Sequence, residues 1–171
     1  GGLMAVIYWA GGTSTDIDDY RNYVTAADGA SVIGDLSGDF TAEDVVFQSL
    51  ALASVARDPT VNANETFNSI KQLAGSTLTG NASYSITVDG EYTWAVNIDG
   101  ALGANVNIIV TTNEETSLDL SATSGNVTNL TINHADCVAT LTEAATISGN
   151  LTITLGELDT SGSNYALTVT G

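Results

Sequence analysis

A chain of 171 residues with three basic and 20 acidic side chains carries a formal net charge of −17, so it has little with which to neutralise a nucleic-acid backbone or hold an anionic membrane surface. A hydrophobic content of 43% excludes a disordered tail, and the lack of any apolar run of about 18 residues excludes a membrane-spanning helix. Cys137 is the only cysteine, so no intramolecular disulfide holds the chain, and its stability must come from packing or association.

In chain order, the first element is an apolar strand, "AVIYWAGG" (Ala5 to Gly12), ended by a glycine pair. "MAV" reads as a start at Met4 with Gly1 to Leu3 as a remnant ahead of it, and the stretch has no basic n-region of a signal peptide. The segment that follows, to Asp39, is acidic and rich in turn residues, with Tyr20 and Tyr23 as anchors. Residues 1–40 are therefore expected to form a strand with an acidic cap or attachment segment, and residues 41–171 the main β domain.

The stretch "TAEDVVFQSLALASVARD" (Thr41 to Asp58) supports two readings. Thr41 and Asp44 resemble a capping box, and Val46, Leu50 and Ala53 keep a helical spacing. Equally, "DVVF" is a strand of an early coil, and that reading is preferred. "PTVNANETF" (Pro59 to Phe67) reads as a strand and a turn, and "TFNSIKQLAGSTLTG" (Thr66 to Gly80) as two strands around Gly75.

From Ser85 onward one pattern recurs: "SITV", "NIIV", "NLTI", "NLTI" and "ALTV". Their first apolar residues are Ile86, Ile108, Leu130, Leu151 and Leu167, at steps of 22, 22, 21 and 16 residues. With a strand period of two, these residues and their partners two positions on face one side, while Thr87, Ile109, Thr131, Thr152 and Thr168 face the other. Columns of like residues arise when each repeat is a coil stacked on the last. Gly100, Gly103, Asn105, Gly125, Asn126, Gly149, Asn150, Gly156, Gly162 and Asn164 fall at the expected corners, where sharp or left-handed backbone is needed. The expected fold is all-β, a short parallel β-solenoid with rungs of about 20–22 residues and an N-terminal cap. A β-sandwich with evenly spaced strands is the alternative.

Several stretches together carry a resemblance. "MAVIYWAGGT", the pair Asn22-Tyr23, "EDVVF" (Glu43 to Phe47), "RDPTVNANETFNSI" and the closing "GNLTI…GELDT…YALTVTG" resemble β-solenoid proteins encoded in tailed-bacteriophage structural-gene clusters. Those proteins open on a Tyr-Trp-x-Gly-Gly strand and continue as a right-handed parallel solenoid with Leu-Thr-Val rungs. The resemblance spans most of the chain. It implies a virion role at the particle surface, as a capsid decoration or an appendage. Similar rungs occur in bacterial surface adhesins and filament subunits, which makes a cell-surface role the alternative.

Candidate chemistry is sparse. Asp35, Asp39, Glu43 and Asp44 cluster in an Asp-x-Ser-Gly-Asp context that echoes a calcium loop, but Phe40 stands where an EF-hand needs glycine and Val46 where it needs an acid. The expectation is therefore an acidic turn with no cofactor, Ca²⁺ being the one metal the pattern suggests. His134 and Cys137 lie three apart, too few ligands for a closed zinc site; His134 is expected at a corner and Cys137 in the core. No nucleophile–base pairing stands out, so the chain is read as non-enzymatic. Tyr92 and Trp94 are the candidates for stacking on a sugar, which gives a glycan-binding module as a third reading. Open solenoid ends and free strand edges favour self-association, expected as a trimer. Docking to other virion proteins is expected through the N-terminal segment, with Tyr8, Trp9, Tyr20 and Tyr23 as contact aromatics.

Overall fold

The structure, a computed structural model, describes residues 6–10, 14–18, 22–24, 44–47, 58–90 and 94–171. Within these residues the regular elements are all strands. The first four are β1 (Val6–Trp9), β2 (Tyr23–Val24), β3 (Asp44–Phe47) and β4 (Glu65–Phe67). The middle of the chain supplies β5 (Ser69–Gln72), β6 (Thr77–Leu78), β7 (Ile86–Val88), β8 (Trp94–Ile98), β9 (Ala101–Leu102), β10 (Asn107–Val110) and β11 (Glu115–Asp119). The last four are β12 (Asn129–Leu141), β13 (Ala145–Ile147), β14 (Leu151–Asp159) and β15 (Leu167–Val169). They stack in parallel as a β-solenoid of about five turns, with rungs about 22 residues apart.

The coils share three walls. The first wall stacks β4, β7, β10, the start of β12 and the start of β14, each parallel to the next. Its inward ladder runs Ile86, Ile108, Leu130, Leu151 and, two positions on, Phe67, Val88, Val110, Ile132, Ile153. The residue between is Thr66, Thr87, Ile109, Thr131 and Thr152. This is the Leu-Thr-Ile column expected from sequence, with one correction: Leu167 does not belong to it. β15 pairs with β13, placing Leu167 beside Ala145 and Thr168 beside Thr146 on another wall. The missing copy of the first wall is Glu65–Phe67, below Ile86–Val88.

The second wall stacks β1, β3, β5, β8, β11 and the second halves of β12 and β14. Its inward ladder includes Ile7, Val45, Ile70, Val96, Leu118 and Leu141. The third wall is made of short pieces: β6 on β9, β13 on β15, and single bridges such as Asp16 to Thr60 and Val127 to Ile147. β12 and β14 each turn the corner between the first two walls without breaking, and a register shift marks the turn. His134 lies at that corner, its Nδ1 accepting from the Asp136 N–H at 3.2 Å, and Cys137 beyond it is fully buried.

Corners and interior obey the chemistry the sequence suggested. Asn105, Asn164, Gly75, Gly125 and Gly156 all have positive φ, a region open to Gly and tolerated by Asn. Side-chain amides tie one coil to the next along an edge of the first wall: Asn129 Nδ2 donates to Asn107 Oδ1 (2.7 Å), and Asn129 Oδ1 accepts from the Asn150 N–H (2.9 Å). The core is a single column of aliphatic side chains, closed at its N-terminal end by aromatic rings. Trp9 meets Tyr23 and Phe47 edge-on, with centroids 5.4 and 6.2 Å apart, and Phe47 meets Phe67 in the same way.

Candidate assembly surface

The two ends of the solenoid are finished differently, and the difference begins in the sequence. At the N-terminal end β1 is the outermost parallel strand of the second wall, and β2 lies antiparallel against its free edge, with Tyr8 opposite Val24 and Trp9 opposite Tyr23. An antiparallel strand ends a parallel stack, because the next coil cannot follow it in register. Asn22 fastens this cap. Its Nδ2 donates to Ser14 Oγ (2.9 Å) and to the Asp16 carbonyl (3.0 Å), and its Oδ1 accepts from the Ser14 N–H (2.9 Å). Tyr23 Oη donates to the Ile17 carbonyl at 2.7 Å, so its polar atom is satisfied inside the protein.

Trp9 and Tyr23 were expected at a docking surface and are instead core residues, 1% and 0% exposed. The reason is local. Alternation along β1 turns Ile7 and Trp9 inward, and the antiparallel pair brings Tyr23 onto the Trp9 ring. Tyr8 is half-buried, the partner of Val46 on the outer side of the second wall. Tyr20, Tyr92, Asp35, Asp39 and Glu43 lie outside the described residues. The Trp94 backbone lies in β8 and pairs with Ser117. Asp44 accepts from Asn68 Nδ2 and Ser69 Oγ, both at 2.6 Å, so it binds its own coil to the next. Among the described residues no three His, Cys, Asp or Glu side chains converge.

Glu65 is the charged member of the first-wall ladder. Burial, with the Asp18 carboxylate adding to it, pushes its carboxyl up to about 7. Asn62 Nδ2 donates to Asp18 Oδ1 at 2.9 Å in the same neighbourhood. A groove of about 490 Å³ runs over the outer side of the second wall, lined by Val6, Val46, Ser69, Lys71 and Asn97 beside the already engaged Asp44.

The C-terminal end has no such cap among the described residues. β14 pairs only with β12, and β15 only with β13. Among the described residues no further strand takes the outer edges of β14 and β15. The side chains tell the same story. Ile132 is 0% exposed and Ile153, one coil later in the same ladder, is 48% exposed. Ile147 is 0% exposed and its partner Val169 is 43% exposed. Leu155, at the corner of β14, is 52% exposed. Among the described residues, three of the five large hydrophobic side chains found exposed thus lie on this single coil, which makes it a patch rather than the usual scatter. The sequence held the signal in the Leu151–Ile153 and Leu167–Val169 triplets, which are core-type triplets that no described coil covers.

Comparison with family models, with curated proteins and with solved structures found no match to this chain.

Proposed function

We propose that the chain is a non-enzymatic structural protein, a rigid β-solenoid whose last described coil, 151–169, is covered by a further β surface in the assembled protein. The observation that carries this reading is the contrast within one ladder. The position that is sealed at Ile132 is half open at Ile153, on a coil whose strand edges are also unpaired among the described residues. A surface that is apolar and offers a strand edge is costly to leave in water, and burial against another β surface satisfies both features at once. The N-terminal end suits the opposite role. On the second wall its edge is taken by β2, and its aromatic rings plug the core.

The resemblance to tailed-bacteriophage β-solenoid proteins supplies the setting: a decoration or appendage protein at the virion surface, in contact with other virion proteins. A formal charge of −17 suits that setting, since it keeps the outer surface solvated and resists unspecific clumping. Mass spectrometry of purified particles tests the reading. The chain should be found in defined stoichiometry with the major structural proteins; its presence free in the lysate and absence from particles would contradict it.

A further inference from the structure

Two carboxyl groups act on one another across the seam between the N-terminal cap and the first coil. We propose that residues 14–18 form an acid-closed clasp on that coil, shut while Glu65 carries a proton and loosened once Glu65 and Asp18 are both charged.

The clasp is short and its hold is local. The Ile17 N–H donates to the Thr60 carbonyl (3.2 Å), and the Thr60 N–H donates to the Thr15 carbonyl (2.6 Å). Beside them Asn62 Nδ2 donates to Asp18 Oδ1 at 2.9 Å. Ile17 and Val61 are both fully buried, so the clasp belongs to the core and is more than a trailing segment. The first coil is held independently from its other side, where the Val61 N–H donates to the Thr79 carbonyl (2.9 Å) and the Thr79 N–H to the Pro59 carbonyl (3.0 Å). Lifting the clasp therefore leaves the stack above it paired, which is the condition for local opening.

The surroundings of Glu65 decide which protonation state the closed clasp favours. β7, packed against β4, sets Ile86 opposite Glu65 and accepts the Glu65 N–H at the Ser85 carbonyl (3.2 Å). The acid on that side is Asp89, at the far end of the strand pair, where its N–H donates to the Phe67 carbonyl (3.1 Å). From the cap, Asp18 is the charged group that acts on Glu65, and it works in the same direction as burial. Asn62 Oδ1 is buried with no donor to meet it, so the seam is short of protons rather than of acceptors. A neutral Glu65 suits such a place, and an ionised one is poorly hydrated and repelled by Asp18. Opening relieves both costs, since it gives Glu65 to water and moves Asp18 away.

Hydrogen exchange of the full-length chain from pH 5 to pH 8, corrected for the intrinsic rate, tests this at the Ile17 and Thr60 amides. If opening returns Glu65 to its ordinary carboxyl range, linkage makes the opening constant rise by up to about tenfold per pH unit between pH 5 and 7 and level off above. Strand Asn107–Val110, well inside the stack, should keep its protection across the same range. Glu65→Gln, with β-sheet circular dichroism retained, should make the clasp amides insensitive to pH. Asp18→Asn keeps the acceptor for Asn62 and should shrink the rise without abolishing it. Clasp amides whose protection does not change with pH in the wild type would overturn the proposal, as would a Glu65→Gln or Asp18→Asn variant that tracks the wild type. Parallel loss of protection in Asn107–Val110 would also overturn it, by assigning the pH response to the whole stack.

Discussion

At Gly125 the backbone has φ of 75°, and a Cβ added there would collide with the Leu102 carbonyl oxygen on the preceding coil. Gly125→Ala should therefore lose the about 1–2 kcal/mol that left-handed backbone costs an L-residue, and more from the collision, read as a lower urea midpoint. Gly162→Ala is the control: its Cβ would meet only Thr140 Cγ2, at 3.8 Å, and stability should hardly move. Glu65 makes a second prediction at this scale. Its carboxyl is raised from 4.5 in the unfolded chain to about 7 in the folded one, by burial first and by Asp18 second. Between those values the folded state keeps a proton that the unfolded state has lost, so stability falls as pH rises through the window and levels off above it. Glu65→Gln should remove that part of the slope and stabilise the protein at pH 8 relative to wild type, measured by urea unfolding at pH 5 and pH 8. Parallel profiles for the two proteins would contradict the assignment. Corner residues such as Asn105, Gly125, Gly156 and Asn164 were legible in the sequence because positive φ is a local demand with a short list of residues that meet it. Trp9 and Tyr23 were misread because an aromatic in an acidic, turn-rich segment suits an interface as well as a plug. Only the antiparallel pairing of β2 decides between them.

Among elements, the first wall was the most legible, since its Leu-Thr-Ile triplets repeat at the coil length and alternate cleanly. Its lower end was hidden because Glu65 replaces the aliphatic residue there. Its upper end was overextended for a similar reason. β13 reads Ala-Thr-Ile, which disguises it as a copy of the triplet, so Leu167–Val169 was matched to β14, 16 residues back, and not to its true neighbour β13, 22 residues back. The third wall escaped detection because its pieces are two or three residues long, too short to show alternation. At 41–58 the strand reading holds for Asp44–Phe47, whose pattern of alternate burial matches β5 above it. The rest of that stretch lies outside the described residues. The energetic gradient along the first wall gives a prediction for a matched pair. Ile132→Ala removes a fully buried side chain between two coils and should cost about 2–5 kcal/mol. Ile153→Ala, in the same ladder but half exposed, should cost about 1–2 kcal/mol in dilute protein. Equal losses by urea unfolding would mean that the last coil is covered within the single chain.

For the whole molecule, the stacking of coils sets the stability. A solenoid is stabilised chiefly between neighbouring coils, so a coil with one neighbour opens more readily than one with two. Cys137 reports on this, because it sits in the coil just before the last and is fully buried, with burial also pushing its thiol up and away from the reactive thiolate. Native protein should react with a thiol reagent far more slowly than unfolded protein. Labelling at the unfolded rate would contradict the packing at this end. The central claim is the stacking of coils in the stated register. Neighbouring parallel strands lie about 4.8 Å apart, within the span a disulfide can bridge. Mild oxidation of two double-cysteine variants, both in a Cys137→Ala background, therefore tests it directly. The pair at Ile109 and Thr131, partners on adjacent coils of the first wall, should close an intramolecular disulfide, while the pair at Thr152 and Thr168, on different walls, should not. The reverse pattern would contradict the account.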